Sequence, residues 1–400
     1  MNFEFSGADV GYLRSDTGTA ALREVAGYAL TDLTLLADIA ALRARFSDRA
    51  PVLVETTLLR RRATTKLAGL GDVSNWLFTD DALQQATAAP VALHRARRLT
   101  GAVVHDVTCS IGTELAALRE STDRVLGSDL DPVRLAMAQH NLGCGPAGGV
   151  DLARADALRP ITAGTVVLAD PARRSGGRRR FDPRDYQPAL DGLLDTYRDR
   201  DTVVKCAPGI DFEKVRLLGF DGEIEVTSWR GAVREACLWS RGLTEPGIGR
   251  RASILDRDEQ ITDAEPDDCD VRGVGRWIID PDGAVVRAGL VRHYGARHGL
   301  WQLDPNIAYL SGDRLPVGLR GFEVVEQIAY SEKRLRQALS ALDCGALEIL
   351  VRGVPGVQAD PDGLRRRLRL RGRLPLSVVI TRIGSGTAAR AIAFVCRPSR

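Results

Sequence analysis

Lysine is almost missing from this chain: Lys66, Lys205, Lys214 and Lys333 stand against 51 arginines. The skew reads as a bias of overall composition, so an arginine cluster carries less information here than in an evenly composed protein. Formal charge is only +3 at neutral pH, which excludes a globally basic nucleic-acid coat and confines any polyanion site to a local patch. The seven cysteines, at positions 109, 144, 206, 237, 269, 344 and 396, are odd in number, scattered and without a C-x-x-C pair. They argue against a disulfide framework or a structural zinc site. H-x-x-x-H, H-E-x-x-H and G-x-S-x-G patterns are also lacking, so metalloenzyme and hydrolase readings lose their support and no metal is expected. No apolar run approaches the ~18–20 residues that span a bilayer, and no basic segment leads into an apolar one at the N-terminus. The expectation is a soluble, cytoplasmic protein without a membrane partner.

What remains is an ordinary globular composition, 44% hydrophobic and 27% charged over 400 residues. That length predicts two or three folding units. Residues 1–98 read as a helical N-terminal domain. Leu22, Val25, Ala29, Leu33 and Leu36 recur at helical spacing between Gly18 and Arg45, and Pro90 opens a further helix. From 99 to 242 short β-rich runs alternate with helical stretches, the pattern of a parallel sheet with crossover helices. Strands are expected at 102–107, 124–129, 150–154, 165–169 and 202–206, with helices at about 112–120, 132–142 and 187–199. Asp131-Pro132 is a strong helix start, a capping carboxylate followed by a residue pre-shaped for the first turn. Two further runs, 223–228 and 236–241, follow without a long helix between them. Residues 243–275 read as a linker or exposed crossing. Residues 276–400 interleave strands and helices in the manner of a ferredoxin-like α+β domain.

The chemistry concentrates at strand ends. Val103 to Asp106 leads into the small residues Val107-Thr108-Cys109-Ser110-Ile111-Gly112 and then a helix, which offers a carboxylate and free amides to a small polar ligand. The second strand ends at Asp129, 23 residues after Asp106 and close to the spacing at which an acid meets ribose hydroxyls in dinucleotide folds. Asp156 follows the third strand and Asp170 the fourth. Each acid alone reads as a surface or capping residue; their joint placement at successive strand ends points to a ligand.

Asp106 to Gly112 resembles the D-x-x-C-G-x-G signature of class I S-adenosylmethionine-dependent methyltransferases, with Thr108 and Ser110 where that pattern has glycines. The resemblance implies a Rossmann-like seven-stranded sheet and S-adenosylmethionine as cofactor. Its contacts would come from Asp106, Thr108, Cys109 and Gly112, from Asp129 at the ribose and from Asp156 at the adenine. Asp170-Pro171-Ala172-Arg173-Arg174 is similar to the D-P-P-R and N-P-P-Y motifs of nucleic-acid methyltransferases, which makes Asp170 the candidate catalytic residue. No aromatic follows Asp-Pro, which argues against adenine-N6 chemistry. Cys206 resembles loosely the nucleophile of pyrimidine carbon-5 methyltransferases, and also reads as an inert buried thiol.

The runs at 54–63, 83–87, 205–211, 229–239 and Asp280-Pro-Asp-Gly-Ala-Val-Val-Arg-Ala-Gly-Leu290 are together similar to bacterial methyltransferases with a C-terminal THUMP-like domain. That family implies RNA as partner, and Arg173, Arg174 and Lys205 are expected on the substrate side; Leu364 and Leu368, one turn apart on a helix, can face the core and leave Arg365, Arg366 and Arg369 on outer faces as a basic strip for phosphates. The triplets Arg60–Arg62, Arg178–Arg180 and Arg365–Arg367 are further phosphate candidates, or solvated faces. Two other functions stay open at this point: methylation of a small molecule or protein, and RNA binding without catalysis by a degenerate cofactor site.

Overall fold

The computed structural model describes residues 3–143, 150–173, 183–358, 360–386 and 389–399. Arg174, Arg178–Arg180 and Cys144 lie outside these residues. The chain divides into two compact units, Met1–Pro246 and Gly247–Arg400.

The first unit opens with six helices: α1 (Gly7–Arg14), α2 (Asp16–Ala26), α3 (Leu35–Phe46), α4 (Ala50–Lys66), α5 (Asp80–Gln85) and α6 (Ala89–Arg98). Ser6 and Asp9 close a reciprocal capping box on α1, and Pro51 and Pro90 occupy the first turns of α4 and α6. The expected single amphipathic face from Leu22 to Leu36 is interrupted. Leu22 and Val25 are buried on α2, but Gly27 caps that helix and the chain turns, leaving Leu33 97% and Leu36 85% exposed. The α4 triplet is structural rather than phosphate-binding. Arg60 donates to the carbonyls of Trp76 and Asn75, Arg61 to those of Ala26, Tyr28 and Ala29, and Arg62 pairs with Asp80. Arg60 and Arg61 thereby fasten the loops that carry these carbonyls.

Next come β1 (Val103–Asp106), α7 (Thr113–Leu118), β2 (Arg124–Asp129), α8 (Pro132–Leu142), β3 (Val150–Arg154), β4 (Val166–Ala169), the two-residue β5 (Ala172–Arg173) and β6 (Tyr186–Gln187), α9 (Leu190–Thr196), β7 (Thr202–Cys206), α10 (Phe212–Leu217), β8 (Gly222–Trp229) and β9 (Ala232–Ser240). Within this unit the large sheet runs β3-β2-β1-β4-β7-β9-β8, parallel from β3 to β7 and antiparallel across β9 and β8. This is the parallel sheet with a closing hairpin that the sequence suggests. Asp131 caps α8 by accepting from the Val133 and Arg134 amides, as its Asp-Pro start implies. The helical segment and the sheet share one core, in which Leu53, Leu59 and Ala92 pack with Leu115, Val125 and Leu168.

The second unit begins where a linker was expected. Arg250–Ile254 (β10) and Glu259–Thr262 (β11) form an antiparallel hairpin. With two arginines and a serine among five residues, β10 carries too few apolar side chains to announce itself as a strand. Then follow α11 (Gly283–Arg287), α12 (Val291–His298), β12 (Trp277–Ile279) before them, and after them β13 (Trp301–Asp304), β14 (Ile307–Gly312), β15 (Gly321–Ala329), α13 (Glu332–Ala341), β16 (Cys344–Arg352), α14 (Pro355–Gln358), α15 (Pro361–Leu368), β17 (Leu374–Ile383) and β18 (Arg390–Pro398). A seven-stranded sheet, β13-β14-β12-β15-β18-β17-β16, carries α13 and α15 on one face. Val378 and Ile380 pack under those helices with Leu335 and Leu364, while Val379 joins Ile278 and Phe394 on the opposite face. That alternation is the period-two signature of a strand buried on both sides.

Gly127 in β2 is what lets α7 settle behind the β1 loop. A Cβ there would lie 2.5 Å from Leu115 Cδ1, 2.9 Å from Leu152 Cδ2 and 3.0 Å from Cys109 Sγ. Gly127→Ala is therefore expected to lower stability by about 1–3 kcal/mol through overpacking. The measurement is a lower urea midpoint at unchanged m value; an unchanged midpoint would mean that Leu115 and Leu152 repack freely.

Candidate active site

The strand order reverses at β1, which has β2 on one side and β4 on the other. Ligands of open α/β sheets bind at the carboxyl ends of the strands beside such a reversal. A cavity of about 440 Å³ lies there, lined by the loop after β1 and by Asp129, Asp156 and Asp170 at the ends of the next strands in sequence. All four strand-end acids expected from the sequence thus meet around one space.

The β1 loop is held from several sides. The Val107 amide still donates to Leu168 of β4, the Cys109 amide to Ser128 of β2, and the Ser110 amide to Asp129 Oδ2 at 3.0 Å. The Asp131 amide donates to the other Asp129 oxygen at 2.9 Å. Each Asp129 oxygen keeps one acceptor position, enough for two neighbouring hydroxyl groups. Ser110 sits at φ +49°, a conformation that glycine adopts more readily, so the loop makes a glycine-like turn with a side chain in place. Thr108 uses its side chain: Oγ1 accepts the Asp170 amide at 2.6 Å, which ties the first loop to the fourth strand's end. Cys109 is a packed filler against Gly127 as well as part of the lining. Gly112 does not line the cavity. Its φ of +87° turns the chain into α7, where its missing Cβ leaves room for Leu142.

Behind the cavity lies a buried ionic network. The Arg95 guanidinium, from α6, bridges Glu114 on α7 and Glu235 on β9. Lys205, at the end of β7, meets Asp170, the Thr87 hydroxyl and, at 3.6 Å, Glu114. Burial opposes the charge of Glu114, yet Arg95 and Lys205 overcome it and hold its pKa down at about 2. For Lys205, burial is likewise outweighed by Asp170 and Glu114, which push its pKa up. Among the described residues, Asp106 has no such cation in contact. It is 1% exposed, and its burial, with the nearby charges of Glu114 and Asp170, raises its pKa to about 8 even though it accepts the Thr108 amide. At neutral pH this carboxyl is largely protonated.

Lys205 corrects an expectation. It is 6% exposed and its ammonium is committed to three protein oxygens, so it holds Asp170 rather than meeting a substrate. Arg173 has its backbone on β5, paired with Tyr186 of β6. Arg366 is exposed on α15, but Arg369 is not on a helical face at all. It terminates α15 in the left-handed conformation at φ +52°. Leu364 and Leu368 face the core as their spacing implies, and Arg365 and Arg367 are engaged, the first with the Leu347 carbonyl and Asp362, the second with Glu332. Cys206 is buried, and desolvation pushes its thiol well up, which disfavours the thiolate that a carbon-5 nucleophile requires.

The sequence left several working residues unmarked. Arg95 and Glu114 look like ordinary helix-surface charges. Asn141 on α8 receives the Leu77 amide and donates to the Leu77 and Ile111 carbonyls, which joins the helical layer to the β1 loop. Only Glu114 had a local signal, an acid in the first turn of the helix after the loop. Gln85 and Gln187 also line the cavity.

Among the described lining residues five are acidic and one, Arg134, is basic. That surplus suits a cationic ligand, and the paired acceptors of Asp129 suit a diol. Both fit S-adenosylmethionine, a sulfonium compound with a ribose. The THUMP domain-like family matches residues 319–398. A protein of Mycobacterium tuberculosis, present in strains CDC 1551 and H37Rv and named an S-adenosylmethionine-dependent methyltransferase, is 72% identical over 364 residues, which cover 90% of this chain and 100% of that protein. A solved Porphyromonas gingivalis W83 protein assigned as a methyltransferase shares the fold over 100% of both chains, with a TM-score of 0.74 at 19% identity. The chain belongs to the S-adenosylmethionine-dependent methyltransferases and carries a THUMP-like domain at its C-terminal end.

Proposed function

We propose that this methyltransferase acts on RNA, with Asp170 positioning the target atom. The observation that carries the reading is Asp170, which opens the Asp170-Pro171 turn at the carboxyl end of β4 and lines the same cavity as the β1 loop and Asp129. Its resemblance to the Asp-Pro and Asn-Pro motifs of nucleic-acid methyltransferases, and the THUMP-like domain, support RNA over a small metabolite. Arg366 on α15 is an exposed candidate phosphate contact in that domain.

S-adenosylmethionine, when bound, supplies an already activated methyl group, so the chain's task is alignment and exclusion of water. Asp129 holds the ribose hydroxyls with the acceptor positions its two amide partners leave open. Asp156, whose carboxylate accepts the Leu158 amide at 2.9 Å, stands on the adenine side. Asp106, Thr108 and Cys109 shape the methionine end. Lys205 fixes one Asp170 oxygen and Thr108 fixes the Asp170 backbone, so the other carboxylate oxygen can accept a proton or hydrogen bond from the nucleophile without first reorganising.

Asp129→Ala should weaken S-adenosylmethionine binding by about 1.5–3 kcal/mol as charge-assisted bonds are lost. Calorimetry measures this, and an unchanged affinity would remove Asp129 from the site.

A cation bound beside Asp106 favours its ionised form, so binding below pH 8 must expel its proton. In linkage terms the free carboxyl, raised to about 8 by burial, binds more protons than the complex. Affinity is therefore expected to climb from pH 6.5 to about 8 and then level. Asp106→Asn, which retains only the cofactor's own titration, should show a flatter rise. Parallel curves for the two proteins would place Asp106 away from the cofactor's charge.

For chemistry, Asp170→Ala should leave cofactor affinity nearly intact and lower methyl transfer by orders of magnitude, because its contribution exists mainly in the aligned transition state. Cys206→Ser should keep substantial activity; its complete loss in a folded variant would favour the covalent carbon-5 route. Mass spectrometry of nucleosides from a deletion strain should reveal one missing methylated nucleoside, whereas an unchanged RNA profile with a missing methylated metabolite would refute the RNA reading.

A further inference from the structure

The run Trp229-Arg230-Gly231-Ala232-Val233-Arg234-Glu235 has no part in the cofactor site, yet the sheet brings it to the site's substrate side. β9 is antiparallel to β7 with Cys206 opposite Ala236. Glu235 and Arg234 therefore extend past the carboxyl end of β7, the end at which Asp170 follows β4, the strand paired with β7. The tip of the β8–β9 hairpin, closed by the Trp229–Ala232 pair with Arg230 and Gly231 in left-handed conformations, overhangs that end. Its base is anchored by the ion pair of Glu235 with Arg95. The pairing shifts register between Thr227–Glu235 and Ser228–Val233, which leaves Arg234 as the extra residue of a bulge, and its side chain is exposed.

Trp229 is only half-buried. The Arg230 guanidinium lies 4.5 Å and the Arg234 guanidinium 5.4 Å from its ring centroid, and Arg234 Nε also donates to the Trp229 carbonyl. An aromatic ring layered with planar guanidinium groups matches one ligand chemistry closely. A nucleobase stacks on indole or guanidinium alike, and its phosphate is drawn to the cations. An uncharged aromatic ligand would gain nothing from the second feature.

We propose that Trp229 with Arg230 and Arg234 forms a stacking platform for an unpaired base of the RNA strand, next to the nucleotide presented to Asp170. This rests on the RNA reading above. The platform supplies the aromatic surface that the Asp170-Pro171-Ala172 turn lacks, but displaced along the sheet edge, so it grips a neighbouring base and is indifferent to that base's identity. It also predicts a single-stranded or looped target rather than a continuous duplex.

The test uses the full chain and a fluorescein-labelled, mixed-sequence single-stranded RNA of twelve nucleotides, followed by anisotropy, with S-adenosylmethionine affinity measured in parallel. Trp229→Ala should weaken RNA binding about 5- to 150-fold, the range that one stacked base carries, while cofactor affinity stays unchanged. Trp229→Phe should retain most of the RNA affinity. Arg234→Ala should weaken binding and reduce the log–log salt slope by about 0.7, one lost phosphate contact on a single strand. Tryptophan fluorescence gives a second reading that does not depend on the alanine variant folding: RNA should quench the wild type, and Trp229→Phe should abolish the quench. Equal RNA affinity in wild type and Trp229→Ala, or a quench that persists in Trp229→Phe, would overturn the platform alone. Wild-type protein that binds S-adenosylmethionine but no RNA would overturn the RNA reading itself.

Discussion

The constraint on which the site depends is a guanidinium buried away from solvent. Arg95 is 2% exposed, and its two carboxylate partners come from α7 and β9. A cation buried in this way costs several kcal/mol unless it is paired, and the pair returns that cost only with good geometry. The three elements must therefore keep their positions for the charge to be tolerated. α6 belongs to the helical layer, α7 carries the end of the β1 loop, and β9 closes the sheet. One side chain thus locks together the three parts of the unit that surround the cavity, with little net gain in stability required of it.

Lys205 extends the lock to Asp170. Two cations, Arg95 and Lys205, face three carboxyl groups, Glu114, Glu235 and Asp170, in the same buried volume. The imbalance has consequences at both neighbouring acids. Burial pushes the Glu235 carboxyl up, and Asp106, without a cation of its own, is driven to hold its proton. A site that already carries more acid than base resists further negative charge and favours a positive one. The same arrangement that fixes Asp170 in space therefore prepares the cavity for a cation, so positioning and ligand preference have one electrostatic origin.

How legible this was depends on the range of each interaction. The strands at 124–129, 150–154 and 202–206 and the helix from Pro132 to Leu142 match their sequence expectations because their causes are local: branched apolar runs, an Asp-Pro start, a glycine end. The acids at the cavity were legible for the same reason, each being tied to the end of a strand. The network behind them was not. Arg95 and Glu235 are 140 residues apart, and nothing near either one distinguishes a buried charge from a solvated one. The triplet Arg60–Arg62 shows the converse, a run that looks like a phosphate site and is used on backbone carbonyls, by Arg60 and Arg61, and on the Asp80 carboxylate, by Arg62, all fifteen or more residues away. The hairpin at 250–262 escaped because its strands are polar, and strand identity there comes from pairing rather than pattern.

Composition still held information that only the structure makes readable. In a chain that uses arginine almost everywhere, a lysine offers a compact ammonium in place of a planar guanidinium. Lys205 places a compact ammonium among Asp170, Thr87 and Glu114, three acceptors that converge on one nitrogen atom. Lys66, at the end of α4, donates to the carbonyls of Leu83 and Gln84 at 2.7 Å each and so fixes the end of α5, whose Ala82 and Gln85 form a wall of the cavity. Burial, and then the charge of Lys205, bring its pKa down to about 8. Two of the four lysines thus serve one end of one sheet, and each fills a converging pocket of oxygen atoms. In a protein so poor in lysine, the ammonium groups of Lys66 and Lys205 are a better guide to the site than the described arginine run Arg60–Arg62.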